Sequence, residues 1–150
     1  MRKQVVLCSI HEEDYPKLIK LWEASGNIDV RQTDTPDVLG RFLRRNPICS
    51  YGAYAGARLV GAILAGHDGW RGYLYHMAVK PDYREKGIGT RLVNAAVSAI
   101  QLDDIQKIHC LVKRDNSIAQ QFWEACGFEL RDELFDYSLR QSPTQSLPQS

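Results

Sequence analysis

Apolar residues recur along the chain with two periods, short strand-like runs and stretches at helical spacing. Residues 4–10 predict a strand. Tyr15, Leu18, Ile19 and Trp22 share one face at helical spacing, which predicts a helix over about 12–25 with Gly26 as its stop. Polar residues 27–34 predict a loop. Thr35-Pro36 then reads as an N-cap followed by proline at the first helical position, with Val38, Leu39, Phe42 and Leu43 as the apolar stripe and Asn46-Pro47 as the end. Two strand-like runs, 48–55 and 58–65, meet at the Ala55-Gly56-Ala57 corner. A glycine-rich loop over 66–72 leads to a third run, Tyr73 to Val79, and the three predict an antiparallel meander. Ile88, Leu92, Val93, Ala96, Val97 and Ile100 then line one face of a long helix. A strand near 107–112 and a helix from Ser117 to Ala125 follow, with Ser117 and Gln120 fitting a capping box and Gly127 as the stop. Phe128 to Arg140 alternates in a way that predicts one or two last strands, and 141–150, uncharged and rich in Ser, Thr and Pro, predicts a disordered tail. This order predicts an α/β fold with a mixed, mostly antiparallel central sheet and flanking helices, formed as one domain over 1–140.

Composition narrows the function classes more than it selects one. The chain has 150 residues, 19 Lys+Arg, 18 Asp+Glu and a formal charge of +1. That balance gives no footprint for nucleic acid or an anionic membrane surface. The longest apolar run, Leu59 to Gly66, is eight residues, too short to span a bilayer. The basic opening Met1-Arg2-Lys3 is followed by an apolar stretch that His11-Glu12-Glu13-Asp14 cuts short, so no secretory signal is predicted. The four cysteines lie far apart among apolar neighbours, the habit of reduced thiols in a cytoplasmic protein, and no Cys/His cluster has metal-ligand spacing.

Chemistry concentrates in Val79-Lys80-Pro81-Asp82-Tyr83-Arg84-Glu85-Lys86-Gly87-Ile88-Gly89-Thr90, where a strand passes directly into a helix N-terminus. The first N–H groups of a helix lack internal partners and carry positive partial charge. Gly87 and Gly89 let main-chain donors close on an anion, and Lys80, Arg84, Lys86 and Arg91 against Asp82 and Glu85 leave +2 beside them. The bland alternative is a tight turn with solvated charges. No Gly-Lys-Ser/Thr occurs for a Walker loop, and Leu92 stands where a dinucleotide fold needs its third glycine, which argues against a nucleotide-binding regulatory domain.

Arg84-x-x-Gly87-x-Gly89 after Met77-Ala78-Val79 resembles the acyl-CoA pyrophosphate loop of the GNAT superfamily of N-acetyltransferases. Asn116-Ser117-Ile118-Ala119 through Phe122-Trp123 to Gly127-Phe128 resembles that family's later helix, and the likeness covers about residues 4–140. The resemblance implies that acetyl-CoA lies where two adjacent parallel strands splay apart, here the one ending at Val79 and the one at 107–112. It implies that Met77 and Val79, with Ala78 between them, offer backbone groups to the pantetheine arm as an added strand would. The amides of Arg84, Glu85, Lys86, Gly87, Ile88, Gly89 and Thr90 would hold the pyrophosphate. Asn116, which also suits a helix cap, would bond the pantetheine end, and Trp123 would pack beside the thioester.

The implied reaction moves acetyl directly to a primary amine of a protein N-terminus, a lysine or a small molecule. A lysine-like amine with pKa about 10.4 costs about 4.6 kcal/mol to deprotonate at pH 7, so a base or water chain would help. The sequence departs from the family where it matters. Trp123 stands where many members have a proton-donating tyrosine, and Tyr73 and Leu111 stand where a glutamate is frequent. Tyr75 and His76 are the remaining acid–base candidates, with Tyr73, Tyr75 and Met77 expected on one face of the strand and His76 on the other. Sheet packing is the plainer role for both. His67, Asp68 and Arg71 are expected to shape the acceptor pocket, although Asp68-Gly69 also suits a turn. A catalytically idle acyl-CoA sensor is the rival reading, and assembly as a homodimer stays open.

Overall fold

The computed structural model describes residues 4–26, 28, 30 and 34–141; most of the polar loop at 27–34 and all but the first residue of the tail expected over 141–150 lie outside them. The chain divides into two compact units, Met1–Asn116 and Ser117–Ser150.

In the first unit, β1 (Val5–Ser9), β2 (Tyr51–Ala55), β3 (Arg58–His67), β4 (Gly72–Val79) and β5 (Ile108–Cys110) form one sheet in that spatial order. The first four strands pair antiparallel, and β5 joins β4 in parallel after a helical crossover. The expected meander and mixed sheet are therefore present. The strand expected at 107–112 shortens to three residues.

Helix α1 (Tyr15–Ser25) begins later than the apolar period alone suggests, because Glu12–Asp14 form a 3₁₀ turn and Pro16 takes a first-turn position where its missing N–H costs nothing. Helix α2 (Pro36–Arg45) starts as expected, with Thr35 Oγ1 accepting the Val38 N–H at 3.3 Å. Leu18, Leu21 and Trp22 of α1 and Leu39 and Leu43 of α2 are buried against Ala62, Leu64 and Ala78 of the sheet. Each fully buried leucine contributes about 1.5–3 kcal/mol.

Helix α3 (Ile88–Gln101) packs on β2, β3 and β4. Neighbouring residues of a strand face opposite ways, and Gly61, next to Ala62, lies under this helix. A Cβ at Gly61 would stand 3.2 Å from Leu92 and 3.3 Å from Ile88, so the glycine sets how closely α3 approaches.

The second unit holds α4 (Ser117–Ala125), as expected, with Gly127 at φ 94° just beyond its end. Residues 128–141 carry no strand, contrary to the alternation of Phe128 to Arg140. Leu134 N–H closes a turn on Arg131 O at 3.3 Å, and Tyr137 and Leu139 are exposed. Alternation fits a residue run to a pleated surface, but a partner edge makes it a strand.

Candidate active site

The parallel ladder is short. It joins Gly72 to Ile108, Tyr73 to His109 and Leu74 to Cys110, and there it stops, while β4 continues to Val79 beside β3 alone. This is a fork between the two strands.

The end of that free stretch turns its backbone away from β3. Lys80 N–H donates to Val60 O at 2.8 Å, which makes Gly61 and Val79 a non-hydrogen-bonded pair. The N–H and C=O of Val79 therefore point away from β3. Ala78, just before it, pairs with Ala62 and is buried.

A bulge interrupts β4 just before this stretch. Leu64 faces Tyr75 and Ala62 faces Ala78, so Ile63 alone opposes His76 and Met77. His76 takes φ 48°, a left-handed conformation that costs most residues about 1–2 kcal/mol. Its Nε2 lies 3.0 Å from Asp34 Oδ2, and its ring meets Trp22 edge-on at 4.8 Å. The alternation expected for this strand is thus corrected. The bulge places His76 against α1, on the side of the sheet where Tyr75 meets Phe42 of α2 at 5.7 Å.

Beyond Val79 the chain makes a 3₁₀ turn, Pro81–Tyr83, and Arg84 extends. Glu85 and Gly87 both adopt positive φ, 62° and 79°. Gly87 is the N-cap of α3, whose first hydrogen bond runs from Arg91 N–H to Gly87 O at 3.1 Å. The main-chain donors from Glu85 to Thr90 meet no protein acceptor among the described residues. Left-handed residues followed by open amides are a backbone pattern that can take an anion. Buried Ile88 anchors it to the core.

The Arg84 side chain faces the protein rather than an anion. Its Nε donates to Val79 O at 2.9 Å and its Nη2 to Ser25 O at 2.8 Å. Lys86 Nζ donates to Asp82 O at 3.1 Å. Of the basic residues around the turn, Arg84 and Lys86 therefore donate to the protein's own carbonyls.

Tyr75 begins the fork and is 42% exposed. Burial of its inner part, the neighbouring Tyr73 and the charge of Asp68 push its phenol above the usual tyrosine value, so it stays protonated at neutral pH. Tyr73 stacks on Tyr75 at 6.1 Å and on His109 at 5.6 Å. Leu111, just past the last pair, is exposed.

The 66–72 loop spends its polar groups on itself. His67 Nδ1 accepts the Gly69 N–H at 3.0 Å, so the proton sits on Nε2, which donates to Asp103 at 2.8 Å. Asp68 Oδ1 accepts the N–H groups of Trp70 and Arg71, both at 2.9 Å, and the Arg71 bond does most to hold its carboxyl below the usual range. Arg71 lies over the Trp70 ring at 4.4 Å.

Asn116 stands immediately before α4, with its N–H closing on Lys113 O at 3.1 Å. Trp123 belongs to the second unit, where its ring meets Phe122 at 5.2 Å and Phe128 at 5.1 Å. A concavity of about 870 Å³ lies at the β1–β2 end of the sheet beside Tyr54 and Lys17, far in strand order from the fork. Sequence reasoning missed Asp34, Phe42 and His109 as neighbours of the site. Their spacing carries no signal, because the sheet and α2 bring them together.

The model of the Acetyltransferase (GNAT) family matches residues 7–128. The chain belongs to the GNAT family. An acetyltransferase of Sodalis glossinidius is 29% identical over 123 residues, covering 81% of this chain and 85% of that protein. One from Pectobacterium atrosepticum is also 29% identical, over 122 residues, with 81% and 85% covered. The crystal structure of PaiA N-acetyltransferase from Thermoplasma acidophilum in complex with coenzyme A superposes with a TM-score of 0.75 at 23% identity, over 86% of this chain and 92% of that one. That likeness carries the fold. This GNAT protein is an acetyltransferase with acetyl-CoA as co-substrate. The resemblance read from Arg84-x-x-Gly87-x-Gly89 holds, and so does the enzyme class. Among the described residues, no helix is long and apolar enough to cross a membrane, and no three His, Cys, Asp or Glu side chains gather as metal ligands.

Proposed function

We propose that this enzyme transfers acetyl from acetyl-CoA directly to a primary amine, with the β4–β5 fork receiving the thioester arm and the turn at 84–90 receiving the pyrophosphate. The observation that carries this reading is the orientation of Val79 at the end of the unpaired stretch of β4. Its backbone groups point away from β3, as an added strand would require, and the same strand runs on into the open amides of 85–90. The Val79 carbonyl already accepts from Arg84, so the Val79 N–H serves the pantetheine amides.

Bound acetyl-CoA supplies an activated acyl group with a good leaving thiolate. The chain supplies proximity and a proton. Holding two reactants in contact is worth about 7–11 kcal/mol at best, which makes positioning the largest contribution. Tyr75 is the proton donor to the departing sulfur: it starts the fork, is accessible, and keeps its proton at neutral pH. His76 is a positioning residue that holds the bulge through Asp34, because its Nε2 is already committed there. The 66–72 loop, stiffened by His67, Asp68 and Arg71, serves as a rigid border to the acceptor side. The free cysteines suit a cytoplasmic setting.

The test is thiol release from acetyl-CoA with a panel of primary amines, beside calorimetric binding of CoA. Amine-dependent release, lost in Gly87→Asp, supports the proposal. CoA binding with no release on any amine would support the idle sensor.

A further inference from the structure

Four rings from three elements form a continuous row in the first unit. His109 of β5 stacks on Tyr73 with planes 29° apart, Tyr73 stacks on Tyr75 with planes 21° apart, and Phe42 of α2 closes the row edge-on at 85°. Successive centroids are 5.6, 6.1 and 5.7 Å apart, the range of favourable ring contacts.

The row crosses the point where the strands part. Tyr73 and His109 are the second of three paired positions, and Tyr75 is the first residue beyond the last pair. None of the four is fully buried, and Tyr75 is the most exposed. Apolar surface left open at a reaction centre is surface for a ligand.

Charge restricts which ligand. Asp34 is committed to His76 and Asp103 to His67. Asp68, whose Oδ1 accepts the Trp70 and Arg71 N–H groups, adds a negative charge that reaches Tyr75. One negative charge beside a wall of rings suits one ammonium on a flat apolar body, with the rings adding cation–π attraction during approach. A polyamine offers the row no aromatic face to pack against. Partial desolvation at the row also disfavours the ammonium form, which moves the amine toward its nucleophilic state.

We infer that the Phe42–Tyr75–Tyr73–His109 row is the acceptor wall of this enzyme and selects an arylalkylamine, a single primary amine on an aromatic skeleton. This rests on the amine-transfer reading above and goes further by naming the acceptor class.

Phenethylamine, tyramine, spermidine and free lysine, compared by thiol release, test it. The expected kcat/KM for phenethylamine and tyramine exceeds that for spermidine and lysine by about tenfold or more. Tyr73→Leu should raise the phenethylamine KM by about tenfold while the calorimetric Kd for acetyl-CoA stays the same. Phe42→Leu, at the far end of the row, gives an independent reading if Tyr73→Leu does not fold. Preference for spermidine or lysine would overturn the inference and leave amine transfer standing. An unchanged phenethylamine KM in folded Tyr73→Leu or Phe42→Leu would overturn it as well. Release with none of the four amines would overturn it too; if no amine in the broader panel reacts either, the transfer reading falls with it.

Discussion

The Arg84 guanidinium donates to the carbonyl of Val79 at 2.9 Å, which ties the turn after β4 back to the strand it has just left. A second bond, to Ser25 O at 2.8 Å, fastens the same side chain to the end of α1. Hydrogen bonds from charged donors are worth about 1.5–3 kcal/mol each when sheltered, and less at a partly open site. Arg84→Met is expected to lower stability by about 1–3 kcal/mol in urea unfolding and to raise the acetyl-CoA KM. A change in KM with no loss of stability would instead mean that Arg84 binds phosphate directly.

Gly87 separates conformation from charge. Nothing lies within 4 Å of a Cβ built there, so space is not the constraint, but φ is 79°. Gly87→Ala should cost about 1 kcal/mol in stability and raise the acetyl-CoA KM modestly. Gly87→Asp places a carboxylate at the mouth of the anion site, and its KM should rise well beyond that of the alanine variant. Steady-state kinetics on the pair decides it: equal KM values would remove the pyrophosphate from this turn.

Tyr75 makes a prediction in pH. Its pKa is raised, chiefly by burial, so the phenol is protonated below the ordinary tyrosine value of about 10 and for some distance above it. As a general acid it should sustain turnover through neutral pH and lose it only on the far alkaline side. Tyr75→Phe is expected to reduce kcat by roughly tenfold to hundredfold and to erase that alkaline limb. A pH–rate profile identical to the parent would retire the assignment.

Tyr54 bears on stability rather than catalysis. Its hydroxyl donates to Asp14 Oδ1 at 3.2 Å, and burial, reinforced by that carboxylate, pushes the phenol up to about 12. The folded value lies above the unfolded one, so the contribution is complete below about pH 10 and is lost as pH climbs through about 12. Urea melts at neutral and strongly alkaline pH should show this loss in the parent and a flatter dependence in Tyr54→Phe.

The site was only partly legible from residue order. The turn at 84–90 announced itself because glycine spacing, a preceding strand and a following amphipathic helix are all local properties. His76 was placed on the wrong side because a bulge depends on the opposing strand: one residue of β3 faces two of β4, and no pattern within β4 encodes it. Asp34 could not be paired with His76 across 42 positions, nor Phe42 with Tyr75 from the apolar stripe of α2. The alternation of Phe128 to Arg140 misled for the opposite reason, since a period describes side chains and pairing needs a neighbour.

By itself the residue order determined the helices, the meander and the glycine turn that opens α3, because each follows from periodicity, caps and left-handed backbone over a few neighbouring positions. The tertiary structure alone decided where the parallel ladder ends, which backbone groups face the fork, that Arg84 braces the turn from inside, and that four rings from three elements meet at the opening. Those outcomes depend on register and packing between distant segments, and contacts of that kind are specified by the whole fold.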